Sequence, residues 1–286
     1  MGAVYALLAY GAWGVLPIYW KALAAVPATE ILAWRVVGTV AFTLLLLGML
    51  RRLPELRIFR REPREAVQLS ISGVLIGTNW LIYIWAVNHD QLLEASFGYY
   101  LNPLLSVFLG RAVLGERIWP LQALAVAIAA GGVAVLGWNF GGLPWVSLAL
   151  ATSFGIYGLL HKLSHVRPIP ALSFETGLLA PLAVVFLVGG VEPAGGTLAT
   201  GLTSLQQTLL LAAGPATALP LLWFGSAARR LRLSTLGLFQ YIAPSIGFLL
   251  AVFVYAEPFS RAHGIAFSCI WLALALFTFD SWRRRP

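Results

Sequence analysis

Charged side chains are scarce in this sequence. Lys, Arg, Asp and Glu make up 10% of its 286 residues, whereas a soluble domain typically has about 25%. Hydrophobic residues make up 59%, and the mean hydropathy is +0.83. A globular core of this length does not need so much apolar surface, so the excess must face lipid. The composition therefore predicts an all-α polytopic membrane protein.

The residues that supply most catalytic and metal chemistry are also few. Cys269 is the single cysteine, so no internal disulfide can form, and a packing role is expected. The four histidines occur at the ends of apolar stretches without metal-ligand spacing, and no P-loop or catalytic constellation is present. We therefore expect neither an enzyme nor a bound cofactor or metal. The N-terminus lacks the charged region of a secretory signal, so its apolar segment should remain as a span.

Basic residues outnumber acidic ones, and the formal net charge is +8. Nucleic-acid binding would need these residues on one solvated face, but they occur in short runs between apolar segments, so no nucleic-acid partner is expected.

About 20 apolar residues are needed to cross the hydrocarbon core. Such runs predict ten spans, at 2–24, 28–50, 66–88, 91–113, 119–138, 144–162, 169–190, 205–227, 235–255 and 261–280.

The Lys and Arg residues of the connections predict the orientation. Fifteen of the 19 lie in alternate connections or the C-terminal tail, which share one side of the predicted bundle. Only Lys21 and Arg261 lie on the other side, and Arg35 and Arg111 fall within spans. Since cytoplasmic loops carry the excess of positive charge, both termini are expected in the cytoplasm. An even number of spans independently requires the termini to share a side.

The chain matches itself at a shift of 141 residues. The matched pairs are Gly14/Gly155, Lys21/Lys162, Gly73/Gly214, Tyr100/Tyr241, Pro103/Pro244 and Glu116/Glu257. Each half would have five helices, an odd number, so the second half enters the membrane from the opposite side. This predicts two inverted repeats, 1–138 and 144–280, followed by a cytoplasmic tail, 281–286. Many secondary transporters have this design, with a solute site near the midplane.

Four stretches resemble the RarD proteins, in the EamA branch of the drug/metabolite transporter superfamily. They are ILAWRVVGTV (31–40), GTNWLIYIWAVN (77–88), LEASFGYYLNPLLSVFLGRAVLGER (93–117) and RLRLSTLGLFQYIAP (230–244). The resemblance implies a bacterial inner-membrane carrier with two five-helix EamA repeats. It also implies a central cavity lined mainly by helices one, three, four, six, eight and nine. It does not specify the cargo.

Polar residues within predicted spans are costly and are functional candidates. Asn79, with Tyr83 one turn further on, and Asn102, between Tyr99 and Ser106, fall near the middle of spans three and four. Both amides are candidates to contact a partly polar solute. The alternative is an interhelical hydrogen bond, worth about 0.6 kcal/mol.

Two prolines occupy matching positions in spans four and nine. Pro103 and Pro244 each remove a backbone hydrogen bond, and the freed carbonyls near residues 99 and 240 must be satisfied or line a wet cavity. The residues are hinge candidates, and a static kink for packing is the alternative. Because the second half keeps the proline but not Asn102, Asn102 is the better candidate to touch cargo.

Three charged residues inside the predicted spans, Arg35, Glu94 and Glu175, are functional candidates. Arg35 cannot lose its proton, so it must pair with Glu94, pair with a substrate carboxylate, or reach the interface. Glu175 is a candidate to carry a coupling proton. A structural ion pair of Glu175 with Arg167 or Lys162 is the alternative.

Aromatic residues are plentiful, and most must serve packing or interface roles. Trp13 and Phe154 match at the 141-residue shift and are cavity candidates. Glu116 and Glu257 follow a span in each half and are expected to cap or tether helix ends. The remaining cavity candidates are Tyr100, Tyr157, Gln240 and Tyr241.

Three functions are consistent with these features. The favoured one is a secondary transporter that exports a small metabolite, amino acid or amphipathic drug by alternating access, with proton coupling as an option. An importer or facilitator of the same fold is the second. A membrane scaffold or sensor without flux is the third. The expected partners are a small-molecule substrate and the lipid bilayer, and the sequence does not specify an oligomeric state.

Overall fold

A computed structural model describes residues 1–23, 26–88, 92–138, 145–189, 202–254 and 261–283. All regular elements in these ranges are helical. The helices are α1 (Gly2–Ala22), α2 (Ala28–Met49), α3 (Ile58–Arg61), α4 (Pro63–Asn88), α5 (Leu92–Ala112), α6 (Pro120–Gly137), α7 (Trp145–Leu163), α8 (Pro168–Gly189), α9 (Ser204–Ala228), α10 (Leu233–Phe239), α11 (Ile242–Leu249) and α12 (Arg261–Arg283).

The apolar helices support a multi-pass membrane protein. Six of the described helices contain stretches long and apolar enough to cross a membrane, and they are Gly2–Ala22, Thr29–Met49, Pro63–Tyr83, Trp145–Leu163, Pro168–Val188 and Ser204–Ala228. Two shorter apolar stretches are Pro120–Val135 and Gly264–Asp280. Because each helix satisfies its own backbone hydrogen bonds, helices can lie in hydrocarbon where open strands cannot.

The connection between α2 and α4 is more ordered than the sequence suggests. A 3₁₀ turn (Leu53–Arg57) and the short α3 follow α2, and α4 then begins at Pro63 rather than at the expected residue 66. Proline suits a first helical position because the missing N–H would have no intrahelical partner there. At the other end of the chain, α12 continues to Arg283, into the predicted tail.

The predicted ninth span, 235–255, is not one continuous helix. It divides into α10 and α11, and a π-helical turn (Leu250–Val254) follows. Pro244 has no N–H to donate to the Gln240 carbonyl one turn earlier, and the helix breaks at that carbonyl. There the Gln240 N–H donates to Gly237 O at 3.2 Å, in a tight three-residue turn. Pro103, by contrast, lies inside the unbroken α5.

The helix contacts come in matched sets. A contact between a first-half helix and a second-half helix has a counterpart in which the corresponding helices of the two halves change places. α2 lies against α8, α6 against α12, and α5 against α10. The contact of α1 with α11 is matched by that of α5 with α7, and the contact of α1 with α9 by that of α4 with α7. Likewise, α2 contacts α9 and α4 contacts α8. Every one of these contacts joins the first half of the chain to the second, so neither half forms a separate core.

The backbones of α2 and α9 approach each other closely where the two helices cross. A Cβ atom added to Gly214 would lie 2.2 Å from the carbonyl carbon of Gly38. The Thr39 hydroxyl donates to Gly214 O at 3.3 Å across the same crossing. Small residues allow membrane helices to approach so closely. The two glycines therefore fix the distance between α2 and α9.

We predict that Gly214→Ala destabilises the protein by about 1–3 kcal/mol, the usual cost of overpacking. The added methyl group must push α9 away from α2. Gly177→Ala on α8 is the matched control, because nothing lies within 4 Å of the added Cβ. Thermal unfolding in detergent should show a lower midpoint for Gly214→Ala only. Equal midpoints for the two variants would contradict this account of the crossing.

Candidate functional site

Arg35 on α2 is held by three side chains from other helices. Its Nε donates to Thr217 Oγ1 on α9 at 3.0 Å. Its Cζ lies 4.9 Å from the ring centres of Trp20 on α1 and Trp80 on α4. A guanidinium near indole faces makes favourable cation–π contacts. Within the described part of the chain no carboxylate forms an ion pair with Arg35, and the side chain of its expected partner Glu94 lies outside that part.

Two tyrosines extend the group around Arg35. The rings of Tyr83 on α4 and Tyr99 on α5 have centroids 6.0 Å apart, and both lie near Arg35. Tyr99 is 39% exposed. We call Trp20, Arg35, Trp80, Tyr83, Tyr99 and Thr217 the arginine layer.

A second aromatic group joins α1, α7 and α9. The Trp13 ring lies 5.7 Å from Phe154 and 5.8 Å from Phe224. Tyr157 stacks on Phe224 with centroids 5.7 Å apart and an interplanar angle of 17°. Tyr10 completes the group, 5.3 Å from Trp13. Three of the predicted cavity residues, Trp13, Phe154 and Tyr157, are thus brought together in one cluster.

A histidine–glutamate pair lies beside this cluster. His161 Nε2 and Glu175 Oε1 are 2.9 Å apart, and the two side chains are 4% and 0% exposed. The His161 ring lies 4.5 Å from that of Tyr157, and the Tyr157 hydroxyl faces Glu175. Together with the aromatic cluster, the pair fills the space between α7, α8 and α9 with buried side chains. We call Tyr10, Trp13, Phe154, Tyr157, His161, Glu175 and Phe224 the histidine layer.

The alternative considered for Glu175, an ion pair with Lys162 or Arg167, is not found, because its partner is His161. Lys162 Nζ instead donates to Leu231 O, and Arg167 contacts Glu55 at 3.0 Å. Both basic residues lie at helix ends, whereas Glu175 lies two turns inside α8. The sequence did not single out His161, because the residue lies near the end of a predicted span. Its i, i+4 spacing from Tyr157 places both residues on one helical face, and this spacing is the sequence feature that could have identified it.

Two tyrosine hydroxyls face buried acceptors near these layers. Tyr10 Oη lies next to the Gln240 side chain, and Tyr157 Oη lies next to Glu175. Asn102 Oδ1 is buried without a hydrogen-bond partner in the described structure. Such an atom costs about 1–3 kcal/mol when it is left unpaired, so a solute group or an ordered water that donates to it would be favoured.

The amide of Asn79 is already used in helix packing. Its Nδ2 donates to Leu150 O at 3.0 Å and to Ser153 Oγ at 2.9 Å, both on α7. This is the geometry of the interhelical alternative. Asn102, by comparison, is buried with a free acceptor. Its role as a cargo contact stays a prediction.

The structure separates Tyr100 and Tyr241 from both layers. Tyr241 donates its hydroxyl to Tyr100 O at 3.4 Å, and the Tyr100 ring lies 5.6 Å from Phe267 on α12. These two candidates lie in the packing between α5, α6 and α12. Gln240 donates to Ser106 Oγ at 3.2 Å, which links the break in the predicted ninth span to α5. The side chain of the third charged candidate, Glu94, lies outside the described residues.

Glu116 caps α10, which follows the connection that contains Arg229, Arg230 and Arg232. Its carboxylate accepts from the N–H groups of Leu233 and Ser234 at 2.6 and 3.0 Å, and from the Ser234 hydroxyl at 2.5 Å. A negative charge at a helix N-terminus satisfies free N–H groups and opposes the helix dipole. The expected capping role is confirmed for Glu116, whereas Glu257 lies outside the described residues. The cap ties the end of α5 to the start of α10.

Comparisons with known proteins identify the family of this chain. The EamA-like transporter family matches residues 1–138. Protein RarD of Escherichia coli is 44% identical over 280 residues, covering 98% of this chain and 94% of that protein. The chain belongs to the RarD group of EamA-like transporters. An uncharacterised transporter of Pseudomonas aeruginosa is 46% identical, over 99% of this chain and 94% of its own length.

A crystal structure with 22% sequence identity gives a TM-score of 0.76 and covers 100% of this chain and 99% of its own. That likeness concerns the fold alone. Family membership and the apolar helices together make the RarD-group chain a multi-pass membrane transporter protein.

We predict strong coupling between His161 and Glu175 in a double-mutant cycle. Each of His161→Asn and Glu175→Gln should lower the free energy of unfolding by about 3–5 kcal/mol, as expected when a buried pair loses one partner. The double variant should lose much less than the sum.

The control cycle uses His165 and Glu62, whose side chains are 60% and 48% exposed and 2.8 Å apart. Their coupling should not exceed about 1 kcal/mol. Chemical or thermal unfolding in one detergent measures both cycles. Additive effects at His161 and Glu175 would show that the contact between them does not matter.

Proposed function

We propose that this protein is a secondary transporter that exports a small metabolite, amino acid or amphipathic drug across the bacterial inner membrane by alternating access. One observation carries the proposal. Arg35 is a permanent cation in an internal, partly exposed, aromatic-walled space, without a carboxylate partner among the described residues. An intramembrane charge of this kind marks a solute pathway by default. We assign an anionic group of the cargo, such as a carboxylate, to Arg35.

The ten-span, inverted-repeat architecture is part of the proposal. The symmetric helix contacts support it, and so do individual residues. Gly14 packs against Ile246, and Gly155 packs against Leu105. Each residue of the first contact lies 141 positions from one of the second. Two halves of similar fold and opposite orientation can exchange conformations, which opens the central space to each side in turn.

The described conformation fits an outward-facing state in this scheme. Tyr99 and Arg35 at the polar centre of the arginine layer are partly exposed, whereas the polar residues His161, Glu175 and Tyr157 of the histidine layer are buried. Trp80 and Thr217 of the first layer are also buried, and Trp13 and Phe154 of the second are partly exposed. The histidine layer lies toward the end of the bundle that has the arginine-rich connections. We assign that end to the cytoplasm by the positive-inside rule. Glu116, which caps α10 at the same end, would hold the cytoplasmic side closed.

Coupling to protons is the second part of the proposal, and it rests on the His161–Glu175 pair. A buried carboxylate is costly unless it is neutralised or paired. The groups that face it are His161 and Tyr157 on α7, while the adjacent parts of α4 and α9 contribute the backbone at Gly73 and the ring of Phe224. A proton gained or lost here changes the charge between α7 and α8. That change is suited to drive movement between the two states.

We predict that Arg35→Gln reduces saturable flux by about 10- to 100-fold at low solute concentration. A charge-assisted hydrogen bond is worth about 1.5–3 kcal/mol, and 1.4 kcal/mol is a factor of ten in affinity. The assay is counterflow in proteoliposomes with a panel of labelled amino acids, organic acids and amphenicols. Arg111→Gln, exposed near the end of α5, is the control.

The outcomes separate the competing functions. Wild-type flux of a neutral solute that Arg35→Gln leaves unchanged would reject the anionic-cargo assignment but keep the transporter. Saturable uptake only under an inward solute gradient would favour the importer. The absence of flux for every solute, with folded protein in the vesicles, would favour the scaffold or sensor.

We predict that Glu175→Gln abolishes solute accumulation driven by an imposed pH gradient but retains counterflow, which needs no net proton movement. Glu62→Gln, at the exposed pair, should retain both activities. Accumulation is measured in the same vesicles with and without a protonophore. If Glu175→Gln responds to the pH gradient as the wild type does, the coupling assignment fails while the carrier assignment stands.

A further inference from the structure

A groove that is separate from both layers lies at the arginine-rich end of the bundle. It occupies about 660 Å³ between the start of α8, the end of α9 and the turn after α2. Arg52, Arg167, Arg229 and Arg230 line it, and Leu222 and Trp223 are among its apolar lining. Neither the aromatic cluster nor Arg35 contributes to it. The groove is therefore a distinct feature of the structure.

Positive charge in the groove exceeds negative charge. Glu55 accepts from Arg52 at 2.6 and 2.8 Å and from Arg167 at 3.0 Å, so one carboxylate serves two guanidinium groups. Arg229 donates to Val166 O at 3.1 Å and Arg230 to Ser226 O at 2.8 Å, both neutral acceptors. Each guanidinium has five N–H donors, and these bonds use few of them.

The arginines also repel one another. Burial lowers the pKa of Arg229, and the positive charges of Arg230 and Arg167 lower it further, against a smaller opposing effect of Glu65. Glu65 itself is occupied by the Ser164 hydroxyl and His165. An anion in the groove would relieve this repulsion and satisfy the free donors.

The backbone conformation that directs Arg52 into the groove is an unfavourable one at the preceding residue, Arg51. Arg51 has φ of 55°, a left-handed conformation in which glycine is usual at the end of a helix. The Arg52 N–H then donates to Leu47 O at 2.7 Å and closes the end of α2. This reversal directs Arg52 toward Glu55 and Arg167.

The combination of arginines and an apolar wall indicates the ligand. Planar guanidinium groups bind phosphate oxygens in a fork geometry. Tryptophan is typical of the membrane–water interface, and Trp223 with Leu222 gives one wall of the groove an apolar surface next to the charges. Basic pockets between helices at the cytoplasmic surface are suited to phospholipid head groups. We propose that the groove binds the phosphate head group of an anionic phospholipid, with its acyl chains along the apolar side.

The test compares lipids that differ only in their head groups. Purified full-length protein is delipidated and its thermal midpoint is measured in dioleoyl phosphatidylcholine, with and without dioleoyl phosphatidylglycerol. Millimolar inorganic phosphate in phosphatidylcholine is a third arm. We expect phosphatidylglycerol to raise the midpoint by several degrees, because it binds only the folded state, and phosphate to have no comparable effect.

Matched variants locate the effect. Arg167→Gln/Arg229→Gln should lose the phosphatidylglycerol shift, whereas Arg60→Gln/Arg61→Gln, which removes the same charge from the exposed α3, should keep it. If the first double variant does not fold, Arg167→Gln alone serves, since this side chain is 63% exposed. Native mass spectrometry of retained lipid gives a second readout.

Three results would overturn the proposal. The first is an equal phosphatidylglycerol shift in the groove variant, and the second is an equal loss in the α3 variant, which would indicate diffuse attraction. The third is a shift with inorganic phosphate as large as that with lipid, which would assign the groove to a soluble phosphate. None of these results depends on transport activity, so the test is independent of the proposed function.

Discussion

The contact of the Arg35 guanidinium with Trp20, Trp80 and Thr217 is the interaction on which the arginine layer depends. A cation–π contact gives about 2 kcal/mol when it is desolvated, which is less than the cost of burying a charge. The remaining cost must be offset by water or by an anion, either a solute group or the Glu94 carboxylate. The glycine crossing makes this arrangement possible. Gly38 follows Arg35 by three residues on α2, and Gly214 precedes Thr217 by three on α9, so the close crossing brings the two side chains together.

Sequence patterns predicted the helices well, because hydrocarbon requires long apolar runs whatever their neighbours are. They predicted a hinge or kink at Pro103 and Pro244, with freed carbonyls near residues 99 and 240, but not that only the second of the two helices would break. Pro103 and Pro244 are the same residue type at matched positions, yet only one of them accompanies a broken helix. The proline shows where a hydrogen bond is missing, while the surrounding helices decide whether the backbone remains continuous. Likewise, the partner of Glu175 could not be read from the chain, because His161 meets it only when α7 packs beside α8.

The 141-residue shift connects some members of the two layers. Trp20 corresponds to His161 and Tyr83 to Phe224, so these pairs would occupy equivalent positions of the proposed repeats. Trp13 and Phe154, which also match, both lie in the histidine layer. The correspondence of the first two pairs was present in the sequence. It became visible only when the structure showed which residues form a layer, since matches between different residue types carry no signal alone.

The layers have diverged in charge, and this divergence bears on the proposed cycle. In the proposed cycle, an anionic group entering from the cytoplasm first meets the histidine layer, where Glu175 repels it unless a proton neutralises the His161–Glu175 pair. It then reaches Arg35, which attracts it. In the proposed cycle, this difference in charge would favour an anionic group at Arg35, and protonation of the pair would control access to it. Such an asymmetry changes the rates of the steps in the cycle, whereas the solute and proton gradients across the membrane set the direction of net transport.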